Sequence, residues 1–101
     1  MLITVVDATT GAPGGPERTL ELVEETIRVD ELIRRHTFLE IAESGTGADL
    51  ATQTRQALDA FERNAFVVLV DDRQVTELTE TVRLREGSRV TFLKLVPLVG
   101  G

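Results

Sequence analysis

Few residues in this chain are of types that do chemistry, and the most pointed of them stand together at its end. Residues 89 to 101 read Arg-Val-Thr-Phe-Leu-Lys-Leu-Val-Pro-Leu-Val-Gly-Gly. Gly100 and Gly101 have no Cβ, so they can thread a narrow channel in conformations that other residues resist and bring a terminal carboxylate to a buried nucleotide site. A carboxylate is a poor electrophile, but as a mixed anhydride with a good leaving group it becomes open to attack. A soft tail at a domain boundary would end in the same way. The residues before the pair carry the argument further. Val90 to Val96 is β-branched and apolar, which predicts a core strand, and Pro97 removes the next backbone donor. Pro97, Leu98 and Val99 then lead from that strand to the reactive pair.

The other candidates are weaker. His36 is the only histidine, and cysteine is absent, so disulfides, thiolate metal sites and thiol nucleophiles are excluded. A lone histidine on an apolar helix face reads as a packed or boundary residue. Asp71 and Asp72 stand side by side, and a turn explains them without a metal, since no further oxygen ligands follow at a recognisable spacing. Gly11, Gly14 and Gly15 invite a phosphate-loop reading, but no Lys-Ser/Thr follows. Gly45 and Gly47 lack both a preceding strand and the third glycine of a dinucleotide fingerprint. No catalytic residue and no metal ligand is assigned.

The elements that position the tail follow from periodicity. Leu2 to Asp7 predicts a first strand, Ala8 to Glu17 a Gly/Pro loop, and Arg18 to Glu24 a second strand with Leu20 and Leu22 on one face. Thr26 to Glu43 changes to a helical period through Val29, Leu32, Ile33 and His36, with Asp30 and Glu31 in the first turn. Phe38, Leu39, Ile41 and Ala42 continue either as helix or as an irregular packed segment. Thr46 with Asp49 has capping spacing, so a second helix should start there, with Leu50, Thr54, Ala57, Leu58, Phe61 and Ala65 on its buried stripe. Phe66 to Val70 reads as a central strand buried on both faces. Val75 to Arg83 reads as an edge strand or connection, and Glu86-Gly87-Ser88 as the last tight turn.

Composition bounds the remainder. A chain of 101 residues with 42% apolar and 28% charged content is one globular domain, burying roughly 60 to 70% of its unfolded surface. The expected division is a domain over residues 1 to 97 and a tail over 98 to 101. The net charge of −6 disfavours nucleic acid and anionic membranes as partners and favours a partner with a basic face. With no run of 18 apolar residues and no basic-apolar leader, a cytoplasmic protein is expected.

Residues 82 to 101, Val-Arg-Leu-Arg-Glu-Gly-Ser-Arg-Val-Thr-Phe-Leu-Lys-Leu-Val-Pro-Leu-Val-Gly-Gly, resemble the close of ubiquitin-like β-grasp carriers, notably the molybdopterin-synthase small subunit and the thiazole-biosynthesis sulfur carrier. Leu84, Gly87, Val90, Pro97, Gly100 and Gly101 match that pattern, and the likeness covers residues 66 to 101 and the first strand pair. The chain departs from it in having Gly87-Ser88 where Gly-Asp is frequent, and in a longer apolar strand before the diglycine.

The resemblance implies an α+β fold: a mixed four- to five-stranded sheet on one main helix, with an extra helix inserted before the central strand, and first and last strands parallel at the centre. It further implies a carrier protein that is not itself an enzyme. Gly101 would be adenylated by a ubiquitin-activating-type partner using ATP and magnesium, with no cofactor bound by this chain. A sulfur donor or acceptor enzyme would then take part, giving a terminal thiocarboxylate. Pro97 favours that outcome. The longer strand favours a protein modifier linked to targets through Gly101, and a β-grasp binding module with an inert tail is the third possibility. The parity of the last strand leaves large apolar side chains off the core whichever way it faces, so Leu93 and Leu95 are expected to border the partner surface.

Overall fold

In the computed structural model, which describes residues 1–12 and 14–96, the elements run β1 (Leu2–Thr9), β2 (Glu17–Glu21), β3 (Thr26–Arg28), α1 (Val29–Ser44), α2 (Leu50–Glu62), β4 (Phe66–Val70), β5 (Arg73–Val75), β6 (Thr81–Arg83) and β7 (Arg89–Lys94). β2-β1-β7-β4-β5 form one mixed sheet, and β3 with β6 a small second one. The first and last strands are neighbours at the centre of the larger sheet and run parallel, with Val5 beside Val90 and Asp7 beside Phe92. The chain is thus a compact α+β domain with a helix packed on its sheet.

Alternation in β1 sends Ile3 and Val5 inward, and the antiparallel hairpin sets Leu20 and Arg18 opposite them on the same face. The hairpin loop closes with Asp7 N–H donating to Pro16 O at 2.9 Å. Glycine is required at position 15, because a Cβ there would lie 1.7 Å from Asp7 O. β1 extends two residues past the predicted end, to Thr9.

Thr26–Arg28 is a strand, which corrects the expected start of the first helix. Its partner segment claims the backbone: Leu84 N–H donates to Glu25 O at 2.7 Å and Val29 N–H to Glu80 O at 2.9 Å. The helical period begins only at Val29, and Val29, Leu32 and Ile33 are buried against the sheet. Phe38 to Ala42 continue as helix, which closes the alternative left open by their β-branched neighbourhood. The cap of α2 is also corrected. Asp49 itself is the N-cap, accepting from Thr52 N–H at 2.9 Å, while Thr46 pairs with Ser44 in the preceding turn. Of the predicted stripe of α2, Phe61 is buried and Leu50, Thr54, Ala57 and Leu58 are half-buried, while Ala65 lies beyond the helix, which ends at Glu62.

β4 lies between β7 and β5, but only Val68 and Val70 are fully buried, so it is covered on one face and half-covered on the other. Asp71 and Asp72 make the two-residue turn into β5, both at positive φ (47° and 70°), a geometry that aspartate tolerates. Asp71 also accepts from Arg89 N–H at 2.8 Å and from Ser88 Oγ at 3.2 Å, while Ser88 Oγ accepts from Arg85 N–H at 3.0 Å. With Gly87 at φ 84°, this knots the β4–β5 turn to the turn entering β7. The last strand stops at Lys94, two residues short of its predicted end at Val96.

Candidate functional site

Alternate residues of β7 face opposite ways. Val90 and Phe92 point at the helices and are buried. Thr91 and Leu93 face outward and are half-buried, with Leu93 flanked by Ala8 of β1 and Val67 of β4. The outer face thus carries a row of apolar side chains across three strands, bordered by Leu69 opposite Thr91. Leu95, 38% exposed, lies just beyond the strand. Its N–H donates to Ala65 O at 3.1 Å, Thr10 N–H donates to Lys94 O at 3.0 Å, and Val96 N–H donates to Thr10 Oγ1 at 2.9 Å. The first two bonds carry the β4–β7 and β1–β7 ladders one step further in register. The third gives the Val96 N–H to a side chain, so at Val96 a side-chain bond takes the place of the ladder.

Of the residues expected at the site, Leu93 and Leu95 are therefore placed at the outer face and at the exit of the central strand. Pro97, Leu98, Val99, Gly100 and Gly101 lie outside the described residues.

On the inner side of the same strand ends stands a charged cluster. Arg18 reaches inward from β2 to pair with the Asp7 carboxylate and, at 2.5 Å, with Glu43 of α1. His36 lies between two carboxylates, with Nε2 2.6 Å from Asp7 Oδ1 and Nδ1 3.2 Å from Glu40 Oε1. Its ring stacks on Phe92 with centroids 3.8 Å apart. His36 is a half-buried packed residue, as its position on the helix face predicts. Burial works to lower the proton affinity of the Arg18 guanidinium, but hydrogen bonding to Glu43 and the Asp7 charge outweigh it and hold the group firmly cationic. Since the two carboxylates approach opposite edges of the imidazole, they do not converge on a common metal position. Among the described residues no group of three or more His, Asp or Glu side chains is placed to hold a metal ion.

Beside this cluster a cleft of about 480 Å³ opens between α1, the end of α2 and the ends of β1 and β7. Asp7, His36 and Glu40 of that cluster form one wall, Ile33, Ala57, Ala60, Ala65, Phe66 and Phe92 supply the apolar lining, and Arg63 and Lys94 complete it. Sequence reasoning missed this cleft. Its parts are far apart in the chain, and Arg63 reads as a solvated residue on the outer side of a helix. No helix among the described residues is long and apolar enough to cross a membrane.

A scan against protein-family models finds none that matches this chain, and a search of curated proteins finds no match either.

Proposed function

We propose that this chain is a ubiquitin-like β-grasp carrier, akin to the molybdopterin-synthase small subunit and the thiazole-biosynthesis sulfur carrier, whose Gly101 is adenylated by a partner enzyme and converted to a thiocarboxylate. The observation that carries this reading is the sheet order β2-β1-β7-β4-β5, with β1 and β7 parallel at its centre. A central parallel pair of first and last strands is what the resemblance implies, and the observed order is consistent with it. The three hydrogen bonds around Leu95 and Val96 support it, because they give the residues that follow a fixed point of departure.

In this reading a carboxylate oxygen of Gly101 attacks the α-phosphorus of ATP, and pyrophosphate leaves. The outer sulfur of a donor enzyme's persulfide then adds to the carbonyl carbon, and AMP departs with the bonding electrons. A second donor thiol attacks the inner sulfur of the resulting acyl disulfide, which releases the thiocarboxylate and leaves a disulfide on the donor. ATP and magnesium belong to the partner's site, and this chain is its substrate. The chain supplies the terminus and a docking face that Leu93 and Leu95 border. β7 ends at Lys94, and the protein-modifier reading, in which Gly101 is linked to a target, remains the alternative.

The reading requires that the native chain ends at Gly101, and intact-mass analysis of the protein from its native host tests that first. Exchange of one terminal oxygen for sulfur is the expected result. Covalent adducts to target proteins through Gly101 would assign the modifier role instead. An unaltered carboxylate in the presence of partner enzyme, ATP and a sulfur source would leave only an inert binding module. Deleting Gly101 shortens the reach by about 3.3 to 3.6 Å, where roughly 1 Å of misplacement already costs about a hundredfold. ATP–pyrophosphate exchange should therefore fall at least that far, with the urea midpoint unchanged.

A further inference from the structure

We propose that the cleft at the ends of β1 and β7 is a binding site for a small carboxylate with a flat apolar body. This inference is independent of any chemistry at Gly101. The interior suits the body: Ala57, Ala60 and Ala65 keep the walls low, and Phe66 and Phe92 supply aromatic surface, with centroids 6.2 Å apart. At about 480 Å³ the cleft is within the range of small-molecule sites, which are mostly apolar with a few convergent polar groups.

The rim suits the charge. On a chain of net charge −6, six arginines are engaged in ion pairs: Arg18, Arg28, Arg34, Arg35, Arg73 and Arg89. Five cations have no ion pair among the described residues, Arg55, Arg63, Arg83, Arg85 and Lys94, and of these Arg63 and Lys94 stand together at this cleft. The fold brings them together, because Lys94 pairs with Phe66 in the β4–β7 ladder and Leu95 is bonded to Ala65.

The acidic side chains nearby are not paired with them. Asp7 is paired with Arg18, and both of its oxygens are bonded, one to Arg18 and one to His36. Glu43 is paired with Arg18. Glu40 is left, 58% exposed, with one oxygen turned to His36 Nδ1. Arg18 is shared between Asp7 and Glu43, so Arg18, Arg63 and Lys94 balance the three carboxylates. What favours an anion is that Arg63 and Lys94 have no ion-pair partner among the described residues at the cleft, where Arg63 can take a carboxylate through both oxygens.

The test uses the ¹⁵N-labelled full chain and 2-naphthoate as the probe, with 2-naphthamide as its uncharged match. Saturable shifts of the Ala57, Ala60, Ala65 and Phe92 amides by naphthoate are expected, with much smaller ones by naphthamide. Arg63→Gln and Lys94→Gln should each weaken naphthoate about fivefold, equivalent to roughly 1 kcal/mol for a solvent-facing ion pair. Both side chains are exposed, so the variants' unperturbed spectra serve as the folding control. Equal binding of the amide, shifts confined to another surface, or undiminished affinity in the double variant would overturn the proposal. So would nuclear Overhauser contacts from the Leu98 or Val99 methyls into the cleft in the probe-free chain, which would assign it to the chain's own end.

Discussion

The two faces of β7 are cut from the same six residues, and they do opposite work. Inward, Val90 is 0% exposed and Phe92 5%, and they meet Ile3, Val5, Val68 and Ile33 in one continuous core. Outward, Thr91 and Leu93 stay half-open, and Leu95 is 38% exposed with no core neighbour to hold it. The difference teaches that a two-residue period lets one strand build the core on one face and leave apolar side chains open on the other. A substitution on the inner parity should be read by a melting curve and, on the proposed carrier reading, one on the outer parity by a partner.

Phe92→Ala should break the inner face most severely. It removes a buried ring that stacks on His36 and lies 6.2 Å from Phe66, and such truncations cost about 3 to 5 kcal/mol. Urea unfolding checks this, and a loss under about 1 kcal/mol would show that the core does not depend on this strand. Ser88→Ala tests the knot at the strand's entrance. The change strands the Arg85 N–H, which Ser88 Oγ accepts at 3.0 Å, beside a residue only 2% exposed, so about 1 to 3 kcal/mol should be lost. Ser88→Thr keeps the hydroxyl and should recover part of that in the same titration.

The outer face should respond in the opposite sense. Leu95→Asp should leave the urea midpoint within the range of a surface change, about 0.5 kcal/mol, because the side chain is well exposed and its backbone bond to Ala65 is untouched. On the proposed carrier reading, adenylation by the partner enzyme should fall about tenfold, as for loss of one anchoring contact of roughly 1.4 kcal/mol. Unchanged activation kinetics would remove Leu95 from the docking face.

The sequence made some of these features legible and hid others for physical reasons. The hairpin and both helices follow from local periodicity and β4 from an unbroken apolar run, although β2 ends at Glu21 before its predicted end at Glu24 and α1 begins at Val29 after its predicted start at Thr26. The parallel pairing of β1 with β7 came only from resemblance, since nothing local in Val5 or Val90 specifies a partner so far along the chain. The β3–β6 ladder escaped notice because three-residue strands have no period to read. β7 stops short of Val96, whose N–H goes to the Thr10 side chain and not to a neighbouring strand's backbone, which composition does not reveal. The outward character of Leu93 was readable from parity, whereas the meeting of Arg63 and Lys94 depends wholly on tertiary structure.

The smallest expected effect belongs to the side of α1 turned away from the sheet, and it sharpens the contrast by showing how little charge there contributes. Arg34 donates to Glu31 through Nε at 2.8 Å, and Arg35 donates to it at 3.0 Å. The hydrogen bond from Arg34 is the main influence, opposed by partial burial and reinforced by Arg35, and it holds the Glu31 carboxyl at about 2 against an ordinary value of 4.5. A carboxyl depressed in the folded state favours folding when ionised. Its contribution is therefore full above about pH 4.5 and is lost as the pH falls from there toward 2. The Arg34 side chain is 47% exposed and that of Glu31 32%, so solvent screening should limit the contribution to under about 1 kcal/mol. Urea unfolding of the wild type and Glu31→Gln at pH 6 and pH 3 isolates it, because every other carboxyl titrates in both proteins. The variant should be slightly less stable at pH 6, and the gap should narrow at pH 3. A gap that is the same at both pH values would show that the Arg34 and Arg35 contacts do not bias the protonation of Glu31.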